Sequence, residues 1–228
     1  MCQKETVVDV NARILARNDS AAAHNRAHFS ERDLLCINLM GSPGAGKTAV
    51  LEATARFGGG RFRIAAIAGD LATDNDADRL KAAGIRAASI NTGSACHLDA
   101  EIVHRALHDF DIRGLDYLVI ENIGNLVCPA VYDLGQAVNV VALSVTEGED
   151  KPLKYPTMFA KADLVLLTKI DLLPHLRHVK VPSIMDAIAR VMPHPNVIAL
   201  SAQTGAGVEE WLGWLEQRKL QTMEAQPA

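Results

Sequence analysis

The feature that most restricts this chain is a glycine-rich turn of fixed length, Gly41-Ser-Pro-Gly-Ala-Gly-Lys-Thr48. It lies between the apolar run Leu34–Met40 and the helix-like stretch Ala49–Phe57. The turn matches G-x-x-x-x-G-K-S/T in the strand–turn–helix setting that gives that pattern its mechanism. Gly41, Ser42, Gly44, Ala45 and Gly46 let consecutive backbone N–H groups point inward at phosphate oxygens, and the following helix adds its positive end. Lys47 reaches the β- and γ-phosphates, and the Thr48 hydroxyl can ligate Mg²⁺. A turn of this kind needs a buried strand before it and a packed helix after it, so it predicts an α/β domain that binds a nucleoside triphosphate.

The rest of the chain repeats that alternation. Strand-length apolar runs recur at Arg63–Ala68, Ile85–Ile90, Tyr117–Ile120, Val138–Val145, Leu164–Leu167 and Val197–Leu200. Helix-like stretches separate most of them, near Asp74–Ala83, Leu98–Phe110, Pro152–Ala160, Ile184–Val191 and Val208–Arg218. Strands apolar on both faces with helices between them imply a mostly parallel central sheet in a three-layer P-loop domain, because parallel neighbours need crossover connections. The expected organisation is a short helical N-terminal extension (1–33), a GTPase domain (34–220) and a frayed tail (221–228). Val7, Val8, Val10, Ile14 and Leu15 offer the extension a weak apolar stripe.

The 23 basic and 27 acidic residues among 228 leave a net charge of −4. That balance provides no electrostatic footprint for nucleic acid or an anionic membrane. No apolar run approaches the roughly 18 residues a membrane helix needs, and the first residues lack the pattern of a signal peptide, so a cytoplasmic location is expected.

Two carboxylates stand just past hydrophobic strands, Asp70 and Glu121, where a residue at the carboxyl edge of the sheet can hold Mg²⁺ directly or through water. A helix cap or a solvated loop acid is the competing reading of each. Gly124 would let a backbone N–H approach the γ-phosphate. Base identity comes from Thr168-Lys-Ile-Asp171: the Asp171 carboxylate can accept from the N1–H and exocyclic amine of guanine, and the Lys169 stem can cover the ring. This favours GTP over ATP, although the usual form of the string begins with Asn. Ser201 and Ala202 lie in a loop suited to meeting guanine O6 through backbone N–H groups.

Four cysteines are too few and too scattered for a disulfide scaffold. Cys36 sits inside an apolar strand and reads as a core thiol. Cys96, His97 and Cys128 lie in polar loops, where they pack poorly but serve well as soft ligands for Zn²⁺ or Ni²⁺; the competing reading is that the thiols are incidental and His97 caps the following helix. Three ligands leave coordination incomplete, and a second copy about a twofold axis could complete it. His24 and His28, four apart, could ligate a metal on a helix face or simply be solvated, and Glu101 and His104 are auxiliary candidates.

Together these strings resemble the HypB-type GTPases that help insert nickel into nickel–iron hydrogenase. The matching segments are Asn38–Thr48, Gly69-Asp70 through Asp76-Ala77, Gly93–Asp99, and Glu121-Asn-Ile-Gly-Asn-Leu-Val-Cys-Pro129, the last being the most specific. The resemblance implies that Cys96, His97 and Cys128 form a nickel or zinc site near a nucleotide-dependent homodimer interface. It also implies that Thr48, Asp70 and Glu121 serve Mg²⁺, that a companion zinc-binding maturation protein cooperates, and that the client is the hydrogenase large-subunit precursor. This chain departs from the pattern in having only Cys2 near its start and no histidine run, features that weigh against nickel storage at the N-terminus. With Lys47 and Glu121, Asp70 and Asp76 complete the catalytic candidates, the two aspartates as groups that could orient water.

The function expected is therefore a GTP-hydrolysing metallochaperone in which GTP or GDP sets dimerisation and the metal site through the Glu121–Cys128 segment. Its rivals are a small-molecule P-loop kinase and a metal buffer with a vestigial nucleotide site.

Overall fold

The computed structural model describes residues 7–93 and 95–224, with side chains from residue 12 onward. Seven strands form one sheet in the order β3-β2-β4-β1-β5-β6-β7. They are β1 (Leu35–Gly41), β2 (Ile64–Asp70), β3 (Arg86–Asn91), β4 (Tyr117–Glu121), β5 (Val138–Ser144), β6 (Leu164–Thr168) and β7 (Val197–Ala199), and every pairing is parallel. Every residue of β1, β4 and β6 is buried, which is why these strands read as unbroken apolar runs instead of alternating.

Helices cover both faces. On one face α2 (Lys47–Gly58), α3 (Asn75–Ala82) and α8 (Val208–Glu224) pack Leu51, Leu80 and Trp211 against Ile37, Leu39 and Val140. Trp211 is 2% exposed, and its Nε1–H donates to Thr54 Oγ1 at 2.9 Å, so the large ring is buried without stranding its donor. On the other face lie α1 (Val7–Ser30), α4 (Ala100–His108), two short helices α5 (Lys151–Lys154) and α6 (Pro156–Ala160), and α7 (Val181–Val191). Cys36 packs there with Ile67, Leu118 and Val103, and burial pushes its thiol far up, as suits a core thiol.

Three details differ from the sequence expectation. The helix expected over Pro152–Ala160 is broken at Tyr155 (φ −126°, ψ 54°), because a residue before proline is driven out of the helical region. The last helix continues through Glu224, four residues into the segment expected to fray, and residues 225–228 lie outside the described residues. The stripe expected on α1 is not its buried face: Ile14 is 48% exposed, while Asn18, Ala22, Asn25 and Phe29 are buried at helical spacing. Val7, Val8 and Val10 of that stripe fall outside the described side chains, and Cys2 outside the described residues.

The two asparagines bind α1 into its layer. Asn18 Oδ1 accepts from the Ala100 N–H at 2.9 Å, satisfying a donor at the start of α4. Asn25, fully buried, donates to the carbonyls of Ala100 (2.9 Å) and Leu134 (3.1 Å).

Candidate functional site

β1 is flanked by β4 and β5, so the turn after it opens at the carboxyl edge in the middle of the sheet, where helices leave toward opposite faces. Gly41 ends β1 with φ 147°, and a Cβ there would stand 2.5 Å from the Ala142 carbonyl oxygen. Only glycine lets the chain leave so close to β5. The turn feeds α2, whose first residues are Lys47 and Thr48, and Lys47 Nζ lies over the carbonyls of Gly41 (3.4 Å) and Ser42 (3.3 Å). Burial lowers the pKa of this lysine, opposed by the charge of Glu121.

A cavity of about 440 Å³ opens above the turn, lined among others by Gly44, Lys47, Thr48, Asp70, Asp76, Glu121 and Gly124. Thr48 Oγ1 lies 2.7 Å from Glu121 Oε1 and 3.0 Å from Asp76 Oδ1. Glu121 is 2% exposed, its pKa is raised to about 7 chiefly by burial, and its Oε2 is buried without a hydrogen-bond partner. A hydroxyl, two carboxylates and an unpaired buried oxygen form the hard donor set that Mg²⁺ takes, so these residues fit the ion. Asp70 stands apart from the set. Its carboxylate is folded back on its own loop, accepting from the N–H groups of Leu71 (2.5 Å) and Ala72 (3.4 Å) and from Thr73 Oγ1 (2.5 Å), contacts that lower its pKa. Asp76, at the start of α3, takes the position beside Thr48 that the sequence suggested for Asp70.

Beyond Lys169 lies a second cavity of about 310 Å³, lined by Gly46, Ala49, Thr168, Lys169, Asp171 and Ala202 among others. Lys169 sits in the left-handed region (φ 60°) and arches across the turn, donating from Nζ to the Gly44 carbonyl at 2.6 Å, so it borders both cavities. Thr168 keeps a link to the phosphate turn despite replacing Asn: its Oγ1 donates to the Ala45 carbonyl at 2.6 Å. Asp171 Oδ1 accepts from Ser201 Oγ at 2.6 Å. Ser201 contributes through that hydroxyl, because its backbone N–H donates to the Ala206 carbonyl (2.8 Å) within the loop. Ala202 lines the cavity itself.

The two thiol-bearing loops meet at the same edge of the sheet. Cys96, in the loop between β3 and α4, and Cys128, in the loop after β4, bring their sulfurs to 3.0 Å, and His97 Nδ1 lies 3.8 Å from Cys96 Sγ. Among the described residues, this is the group in which three possible metal-ligand atoms lie within 4.8 Å of one another. The His97 ring stacks on Tyr132 (centroids 3.9 Å, interplanar 18°), and burial lowers its pKa, favouring the neutral imidazole that can ligate. The Cys128 thiol is pushed up by its contact with Cys96. Tyr132 had no signal in the sequence, being neither a ligand type nor part of a motif.

One segment joins the cradle to the thiols. Asn122, 1% exposed, donates to Asn38 Oδ1 (3.1 Å) on β1 and accepts from the Leu98 N–H (3.4 Å), next to His97. Gly124 lies so close to the phosphate turn that a Cβ would meet Pro43 backbone atoms at 2.8 and 2.9 Å. Asn125 bridges to Gly41 in antiparallel fashion and donates from Nδ2 to the Cys96 carbonyl at 3.2 Å. The ends of this segment, Glu121 and Cys128, are chemically marked in the sequence, whereas Asn122 and Asn125, which fasten it, carry no such mark.

This fold and phosphate turn define a P-loop nucleotide-binding protein of the nucleoside-triphosphatase class. The family model described as CobW/HypB/UreG, nucleotide-binding domain, matches residues 35–197. Hydrogenase maturation factor HypB of Azotobacter vinelandii is 52% identical over 206 residues, covering 90% of this chain and 68% of that protein. Among solved structures, HypB from Helicobacter pylori in complex with nickel superposes with a TM-score of 0.86 at 37% identity, covering 93% of this chain and 99% of the other. HypB from Archaeoglobus fulgidus gives 0.82 at 36%, covering 90% and 100%. The chain belongs to the CobW/HypB/UreG family and, within it, to the HypB-type hydrogenase maturation factors.

Proposed function

We propose that this protein is a GTP-hydrolysing metallochaperone that carries nickel, or zinc in its place, at Cys96, His97 and Cys128 and assists nickel insertion into hydrogenase. The observation that carries this reading is the position of the thiol–imidazole group at the end of the short segment that starts at Glu121. Nickel in the Helicobacter pylori relative and the softness of the donors support the choice of ion.

Asp171 selects guanine by accepting from its N1–H and amine, Lys169 covers the ring, and Ala202 supplies the N–H to O6. Lys47 exchanges the carbonyls of Gly41 and Ser42 for β- and γ-phosphate oxygens. Thr48, Glu121 and Asp76 would hold Mg²⁺, which would supply positive charge against the phosphate oxygens. Asp70 or Asp76 is the carboxylate that orients the attacking water in this reading. Gly124 brings a backbone N–H toward the γ-phosphate, and loss of that group relaxes the segment 121–128 that carries Cys128.

Val127 (57% exposed) and Val131 (44%) flank the thiols. An apolar rim around an incomplete ligand set fits a second copy of this chain, so the nucleotide state governs a homodimer as well as the ion. A companion zinc-binding maturation protein and the hydrogenase large-subunit precursor are the proposed partners in transfer.

The test is a titration of the purified protein with Ni²⁺ and Zn²⁺, first with GDP and then with a non-hydrolysable GTP analogue, read together with molecular mass. Metal affinity and mass should change together between the two nucleotides. Equal affinity and equal mass in both would refute the coupling. Phosphate release without any added acceptor separates this reading from a kinase.

A further inference from the structure

A cluster of histidines lies where α1 packs against α4, outside the thiol loop. His104 and His108 are one turn apart on α4, and their Nε2 atoms face each other at 3.3 Å. The His24 ring of α1 meets His104 edge-on with centroids 4.7 Å apart, and His104 meets His108 the same way at 4.7 Å. His28, one turn further along α1, keeps a buried Nδ1 with no hydrogen-bond partner.

The hydrogen-bond network settles which nitrogen of His104 is free. Asn25 gives its amide protons to the carbonyls of Ala100 and Leu134, so its Oδ1 must be the atom 3.2 Å from His104 Nδ1. A carbonyl oxygen only accepts, hence Nδ1 carries the proton and, in the neutral ring, Nε2 carries the lone pair. This is the arrangement of a ligating histidine oriented by a second partner through its other nitrogen. Two nitrogens bound at about 2.0–2.1 Å to one tetrahedral ion stand about 3.3 Å apart, the separation found here.

We propose that His104 and His108, with His24 closing from α1 by rotation about its side-chain bonds, form a second site for a borderline divalent cation such as Ni²⁺ or Zn²⁺. The donors are imidazoles only, which suits these ions and excludes Mg²⁺ and Ca²⁺. His24 and His108 are exposed and His104 is half-buried, so the site loads and unloads from solvent. His104 lies four residues after Ala100, about 6 Å along the helix that the Cys96–His97 loop feeds. It is a holding position beside the thiol site, and its existence does not depend on the nucleotide chemistry proposed above.

The experiment uses the full chain carrying Cys96→Ser and Cys128→Ser, which silences the thiol site. Calorimetric titration with Ni²⁺ or Zn²⁺ should still show about one ion per chain, and Co²⁺ should give a visible spectrum without sulfur-to-metal charge transfer. Adding His108→Gln, at an exposed position, or His24→Gln should weaken that ion at least tenfold, and His104→Gln should abolish it. His194→Gln, at an exposed histidine in the loop before β7, should leave it unchanged. If the cysteine-free chain binds no ion, or binds one that survives both His104→Gln and His108→Gln, the site does not exist.

Discussion

Around Lys47 and Glu121 the protein removes solvent and holds the polar side chains against fixed neighbours, leaving Glu121 Oε2 as the unpaired oxygen, whereas around Cys96 and Cys128 it leaves the ligating atoms near the surface on loops. In the cradle, regular elements do the placing: β1 delivers the turn, α2 carries Lys47 and Thr48, and β4 ends on Glu121. At the thiols, the loops are held by a few side-chain contacts, chiefly Asn125 to the Cys96 carbonyl and Tyr132 under His97. Phosphate chemistry needs dipoles that do not reorganise, and a rigid, dry site supplies them. In the proposed function the ion at the thiols must enter and leave, so its ligands belong on the less stable, solvent-facing part of the fold. The firm region touches the segment that leads to the soft one, through Gly124 against Pro43 and Asn125 against Gly41, and the proposed coupling runs through these contacts.

The sharpest break in this comparison comes from Lys47→Ala, which should cut GTP hydrolysis by about 100- to 1000-fold, the size expected for removing a buried charge aimed at the transferring phosphate. Metal affinity measured without nucleotide should stay within about twofold, and a loss there would show that the cradle holds the thiol loop even without phosphate. Cys128→Ser is the converse. It should weaken nickel or zinc binding by about 100-fold, since one of three ligands is lost, while phosphate release per chain falls by no more than about threefold.

Gly124→Ala strikes the contact between the two regions. Its methyl group would meet Pro43 backbone, so the loop must move, at a cost of about 1–3 kcal/mol by overpacking. Chemical denaturation gives that number, and the nucleotide dependence of metal affinity should shrink about tenfold with both sites still present. The smallest effect concerns Glu121→Gln in the nucleotide-free protein. The folded-state pKa near 7, against an ordinary 4.5, means that between those values the folded chain holds a proton the unfolded chain has released. Stability therefore falls as pH rises through that window, by up to about 3 kcal/mol. Glu121→Gln should remove this slope and make the apo protein about 1–2 kcal/mol more stable at pH 8. A denaturation midpoint that does not respond to pH in the parent protein would mean the buried carboxylate is not poised as described.

Much of this architecture was legible because parallel strands buried on both faces leave unbroken apolar runs, and because a phosphate turn requires glycines and a lysine at fixed spacing. Side-chain type made Cys96, His97 and Cys128 candidates, and the family resemblance grouped them; the structure brings their ligand atoms within 4.8 Å of one another. What stayed hidden depended on partners that sequence does not pair. The buried face of α1 was missed because two of its four members, Asn18 and Asn25, are polar and are satisfied only by backbone from α4 and the loop at Asp133-Leu134. Asp70 was favoured over Asp76 because it ends a strand, but nothing in the string reveals that Thr73 and two backbone amides would claim its carboxylate. The backbone N–H of Ser201, expected to face guanine, is turned back to the Ala206 carbonyl, a turn that the sequence does not reveal.

The grip of those asparagines on Ala100 reaches further than the packing of one helix. Ala100 opens the helix that begins three residues after His97, so the amino-terminal helix acts as an abutment for the loop that bears the proposed ligands Cys96 and His97. Anything that pries that helix away, whether a truncation or a docking protein, would leave the loop without its anchorage. The ion's release could thus be triggered from behind, with the nucleotide untouched.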